Sequence, residues 1–274
     1  MVSLDGVRAK LDRADAHIRD LKSELSVLIE IAHRNLAREV DGEFSKLVYV
    51  AGHVPHLGPN LSAMVGDALF DMRSAWDHLA WQLVVLDGGT PGESTQFPVY
   101  SSRMNKKGTT RIPTIQPRIR RQDILDAIDA VQPYNRHESW LSHLWVVHQL
   151  NNWDKHRVLL AMVAGINIDN HPPWWGLPEG VPSPGWWFNV GHPLKSGDPV
   201  ARFDFRGVLA PADFDPHITL AVTLDEGPPE NWMRSTDVVS LLTGLRHWIT
   251  TEINWRFIPL FGDQPPIAYP SSPA

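Results

Sequence analysis

Asp71-Met72-Arg73-Ser74-Ala75-Trp76-Asp77-His78-Leu79-Ala80-Trp81 lies inside an apolar run, and its reading decides the fold. Around it Leu61, Met64, Ala68, Met72, Ala75, Leu79, Leu83 and Leu86 recur at steps of three and four. That period predicts a helix with one buried stripe. Asn60 can cap it, and Asp87-Gly88-Gly89 can stop it. Within this helix the stretch carries an arginine, two aspartates and a histidine. A second helix, predicted from Glu138 to about Arg157, repeats the pattern. Leu141, Leu144, Trp145, Val147, His148 and Leu150 lie on or near its buried side, and Asn151-Asn152-Trp153-Asp154-Lys155-His156-Arg157 closes it in polar residues.

Working outward, residues 6 to 40 read as one long helix with Leu11, Ile18, Leu21, Leu25, Leu28, Ala32 and Leu36 on a heptad-like stripe. It fits a bundle helix, and a two-stranded coiled coil is the other reading. Phe44 to Val50 reads as a strand. Residues 88 to 122 form a long loop with a short strand at Gln96 to Tyr100. Arg103, Lys106, Lys107, Arg111, Arg118, Arg120 and Arg121 occur in that loop with no acidic residue between them. Asp123 to Val131 reads as a short helix, and Val158 to Ile168 as a strand. Trp174-Trp175 and Trp186-Trp187 sit in a Pro/Gly-rich loop, where they either pin the loop or stack on bases or sugars. Ala201, Phe203 and Phe205, and then Ile218, Leu220, Val222 and Leu224, alternate with polar or small neighbours as two strands that should pair antiparallel. A final helix runs from Thr236 to about Phe257, followed by a Pro-rich tail over 259–274 that is disordered or draped on the surface. The expected fold is α+β, a helical bundle packed against an antiparallel β-sheet of four or five strands. It forms a single domain over residues 1–258, with its β-rich segment at 158–225.

Composition narrows the function classes. At 274 residues the chain can bury a sizeable core. It has no cysteine, so disulfides and thiolate metal sites are excluded. The net charge of -6 argues against a protein that coats nucleic acid through charge alone. The N-terminus lacks the pattern of a signal peptide, and no apolar run is long enough to span a membrane. A cytoplasmic location fits.

Arg73 and His78 set an Arg-x-x-x-x-His spacing on a helix. Metal-free RNA cleavage needs a group that moves a proton near neutral pH and a fixed cation for the charge gathering on phosphorus. Histidine and arginine supply these two. On these residues the chain resembles the HEPN superfamily, helical-bundle proteins that include many prokaryotic RNases. It is also similar to a group of uncharacterised bacterial proteins that pair an RSAxDHL helix (Arg73 to Leu79 here) with a later LNxxDKHR helix (Leu150 to Arg157). The HEPN resemblance implies a metal-independent endoribonuclease or RNA-binding protein that needs no cofactor. It implies a homodimer that brings two copies of the motif together. Arg73, His78, Asp77, Asp154 and His156 are the catalytic candidates. Asn151, Lys155 and Arg157, with Arg111, Arg118, Arg120 and Arg121 of the basic loop, are the candidates for holding RNA. The pattern departs from the nuclease members at Ser74, where they place Asn, Asp or His after the arginine.

Two other readings use the same residues. Asp77 lies one turn from Arg73 and can pair with it, so the clusters can be a structural network in a non-enzymatic scaffold or interaction protein. Asp77, His78, Asp154 and His156 together could ligate a metal for hydrolysis. Residues five apart on a helix differ by roughly 140° of rotation, so Arg73 and His78 do not share one face unaided.

Overall fold

The computed structural model describes residues 2–41, 43, 45–104, 108–110, 115, 117–155, 161–166, 177, 180–190, 192–212, 214, 216, 218–224 and 236–270. Its elements run in the order α1 (Asp5–Arg34), β1 (Leu36–Val40), β2 (Lys46–Ala51), α2 (Pro59–Leu86), α3 (Gln122–Ala130) and α4 (His143–Asp154). Then come β3 (Ala161–Ile166), β4 (Gly185–Phe188), β5 (Pro199–Asp204), β6 (Thr219–Leu224) and α5 (Val238–Glu252), which continues as a π-helical turn, Ile253–Phe257. The fold is α+β, and its sheets are antiparallel throughout. No described helix is long and apolar enough to cross a membrane.

The chain divides into two compact units, Met1–Asp20 with Ala63–Val158 and Leu241–Ala274, and Leu21–Ser62 with Leu159–Ser240. In the first, helical unit, the stripe read from the sequence is the core. Leu69, Met72, Ala75, Trp76, Leu79 and Leu83 of α2 are buried with Leu144 and Leu150 of α4 and Leu242, Leu245 and Ile249 of α5. Trp76 anchors this core, with ring centroids of Phe97 at 4.6 Å, Trp248 at 5.9 Å and Phe257 at 6.0 Å. Such aromatic burial contributes large apolar areas at one place.

The second unit holds a four-stranded sheet of order β1-β2-β5-β4 and a two-stranded sheet, β3-β6. Leu47, Tyr49, Phe188, Ala201 and Phe203 are buried, and the residues alternating with them, Lys46, Val48, Trp187, Arg202 and Asp204, are more open. The period of two thus gives the sheet one inner and one outer face.

Several boundaries differ from the sequence reading. The helix expected over 6–40 stops at Arg34. Asn35 Nδ2 donates to the Ile31 carbonyl at 2.7 Å, and the Asn35 carbonyl accepts from the Gly52 N–H at 2.8 Å. Residues 36–40 then pair with β2, so strand pairing overrides a helical period that reached Leu36. The Gln96–Tyr100 segment is neither helix nor strand and joins no sheet among the described residues. The strands around 203 and 220 do not pair with each other: β5 lies between β2 and β4, and β6 pairs with β3. Trp186-Trp187 lies in β4, not in a loop. Trp174-Trp175 lies outside the described residues, as do both ends of the strand expected over 158–168.

Candidate functional site

α2 brings Arg73 and Asp77 one turn apart, and they form an ion pair at 3.0 Å. Arg73 is buried, with 7% of its surface exposed. Its Nη2 also donates to the Phe97 carbonyl at 2.9 Å, and the Phe97 N–H donates to Asp77 Oδ1 at 2.9 Å. The two side chains thus take both backbone groups of Phe97, as a neighbouring strand would. Burial raises the Asp77 carboxyl above its ordinary range, against the opposing pull of Arg73, and burial lowers the Arg73 guanidinium.

The same device recurs in this unit. Gln132 accepts from the Tyr100 N–H at 3.0 Å and donates to the Pro98 carbonyl at 2.9 Å. Asn254 accepts from the Ile267 N–H at 2.7 Å and donates to the Ile267 carbonyl at 2.9 Å, tying the tail down. Nothing local in the sequence marks these clamps, because the partners lie 13 to 34 positions apart.

His78 is exposed. It lines an open depression of about 420 Å³ with Ser74, Asp77, Trp81, Gln82 and Thr95. A methyl group at Gly6 would stand 2.6 Å from its Nδ1, so the imidazole lies against the start of α1. The structure therefore places Arg73 in the core and His78 at the surface, with Asp77 between them.

α2 and α4 meet at Gly66, where a Cβ would collide with both carboxylate oxygens of Asp154. That contact is seven residues before Arg73, roughly 10 Å along the helix. Burial raises the Asp154 carboxyl, and the like charge of Asp67 adds to it. Nearer Arg73 is His148, whose Nε2 lies 3.1 Å from Asn152 Nδ2. Burial holds His148 down to about 4, helped by the positive charges of Arg73 and Lys155. Arg73 Nη1 and His148 Nδ1 are both buried, with no hydrogen-bond partner among the described residues. Asn151 is buried. His156 and Arg157 lie outside the described residues.

Of the basic loop, Arg118 is exposed. The Arg120 and Arg121 N–H groups donate to the Asp87 carboxylate, each at 3.0 Å. The Arg121 guanidinium pairs with Asp123 at 2.6 Å, and Arg103 with Asp129 at 3.1 Å. None of Arg118, Arg120 and Arg121 lines the His78 depression, and Arg111 lies outside the described residues. Sequence reasoning also missed the bracket on Asp71, which is buried and takes Lys10 at 2.7 Å, Arg13 at 3.4 Å and His17 at 3.5 Å from α1. Three basic residues at steps of three and four along α1 are the signal for it. Among the described residues, no three His, Asp or Glu side chains gather as metal ligands. The chain matches no protein-family model, no curated protein and no solved structure.

Proposed function

We propose that the protein is a non-enzymatic interaction protein whose polar helix clusters are structural networks. One observation carries this reading: Arg73 is 7% exposed and its Nη2 is held by Phe97 and Asp77. A cation that stabilises a phosphorane must be reachable by phosphate, and its partners must release it. A buried guanidinium already fixed on a carbonyl and a carboxylate has the opposite design.

The HEPN-like reading, a homodimeric metal-independent RNase or RNA-binding protein, draws on one specific feature. His78 is exposed beside Asp77 in an open depression, with Trp81 44% exposed on the same wall. The deciding experiment incubates the full chain with a mixed RNA pool in EDTA and, separately, in magnesium. The interaction reading expects intact RNA in both. Cleavage in EDTA that leaves 2′,3′-cyclic phosphate ends, and that His78→Ala abolishes without lowering the melting temperature, would overturn it.

A further inference from the structure

We propose that the outer face of the four-stranded sheet in the second unit binds a nucleotide unit, either free or within a single strand. Consecutive strand residues point to opposite faces, so Trp186 and Trp187 part company on β4. The Trp186 ring lies 5.5 Å from Phe188, which is buried against Phe203 on the inner face. Trp187 takes the outer face, opposite Arg202 in the register, and the Arg202 guanidinium lies 5.1 Å from its ring centroid. One strand further in, Val48 faces Arg202 and Lys46 faces Asp204. Together with Gly185 these residues line a depression of about 390 Å³. That is the low end of the range for small-molecule sites.

The lining defines the ligand. Trp187 is 44% exposed, a large ring held in water beside a cation. Neither the Arg202 guanidinium nor the Lys46 ammonium is closed into a short ion pair with a described carboxylate, although the Asp41 carboxylate, which accepts from the Lys46 N–H at 3.2 Å, is drawn by the Lys46 charge. The lining carries Lys46 and Arg202 beside the carboxylate of Asp204, with Glu39 a strand further out, opposite Val48, and Asp41 next to Lys46. Lys46 and Arg202 can each receive an anionic oxygen, and an indole face with a guanidinium selects a planar group. A nucleotide joins both, with its base on the Trp187 side and its phosphate toward Lys46 and Arg202. Asp204 can accept from a ribose hydroxyl or a base amino group. Gly185 keeps the floor open: a Cβ there would meet nothing nearer than Asp204, at 3.9 Å, so a side chain can start at this position in ordinary contact and take up space in the depression. This site lies wholly in the second unit and does not rest on the reading of Arg73 and His78.

The test titrates the full chain with uridine monophosphate, labelled oligouridylate, inorganic phosphate and a neutral oligosaccharide. Binding of either uridine ligand should weaken as salt rises. Trp187→Ala and the filling variant Gly185→Leu should each weaken it about tenfold, the scale of one stacked base. Lys46→Gln should lower the salt slope by about one for the oligomer. Trp255→Ala, at a ring 72% exposed in the first unit, should leave binding unchanged. Melting curves of Gly185→Leu check that the sheet is intact. Binding of the oligomer alone identifies a single strand, and binding of both identifies the nucleotide as sufficient. The proposal is overturned if the wild-type chain binds neither, if Gly185→Leu folds and binds normally, if phosphate competes as well as the nucleotide, or if only the oligosaccharide binds.

Discussion

Replacing Arg73 with methionine would leave the Phe97 carbonyl and the Asp77 carboxylate facing a side chain that cannot donate. Because Asp77 is one-third exposed, the loss should be about 2–3 kcal/mol rather than that of a fully buried pair. Urea unfolding of Arg73→Met measures it. A double-mutant cycle with Asp77→Asn should give a coupling of about 1 kcal/mol or more. His148 gives a second prediction, one of sign. Its folded value of about 4 lies below the 6.5 expected of the open chain, so the unfolded chain takes up the proton first. Its contribution is fully present above pH 6.5 and is lost as pH falls toward 4. Burial lowers His143 as well, and it acts in the same direction. The carboxyls that burial raises, Asp15, Asp77 and Asp154, act in the opposite one. The informative quantity is therefore a difference. Between pH 7.5 and pH 5, His148→Gln should lose less stability than wild type does, as measured by denaturant melts at each pH. The Arg73–Asp77 pair was legible in the sequence as a one-turn spacing. Its partner Phe97 was not, because no periodicity encodes a contact 20 residues away.

At the scale of elements, α2 and α4 approach through Gly66. Gly66→Ala should lower stability by about 1–3 kcal/mol, as overpacking does. Asp154→Ala should recover most of that in the double variant, since it removes the atoms that the new methyl group meets. Asp154→Ala alone should cost little, because Asp154 is held near the like charge of Asp67. Calorimetric melting of the four proteins checks the pattern. The helices themselves were readable because each buries a stripe of period 3.6, and α2 and α5 begin within two residues of where the pattern places them. The end of α1 was not, because Ala37 to Val40 are exposed and carry neither a helical nor an alternating pattern. Their conformation comes from β2, a partner that the local sequence does not contain.

On the scale of the whole molecule, the helical unit is assembled from three separate segments. Leu4, Val7, Leu11 and Ala14 reach its core from the first segment, and Leu245, Ile249 and Ile253 from the last. A fragment covering residues 63–158 alone should therefore show far less helix by circular dichroism than its three α-helical stretches, most of α2 with α3 and α4, have in the full chain. A native-like spectrum would mean that the middle segment folds by itself. Strand pairing was the least legible feature at this scale. The segments around 203 and 220 alternate equally well and are separated by turn residues, which invites a hairpin. The sheet instead draws β2 from about 150 residues earlier, an order that alternation cannot specify.

The side-chain clamps on Phe97, Tyr100 and Ile267 carry a consequence for amide hydrogen exchange. Segments outside helices and sheets ordinarily exchange fast. Here single amides within such segments are bonded to side chains: Phe97 to Asp77, Tyr100 to Gln132 and Ile267 to Asn254. They should appear as isolated slow positions flanked by fast ones. Asp77→Ser should release Phe97 alone, leaving Tyr100 and Ile267 slow, if each clamp opens on its own. Joint release of all three would mean that the helical unit opens as one piece.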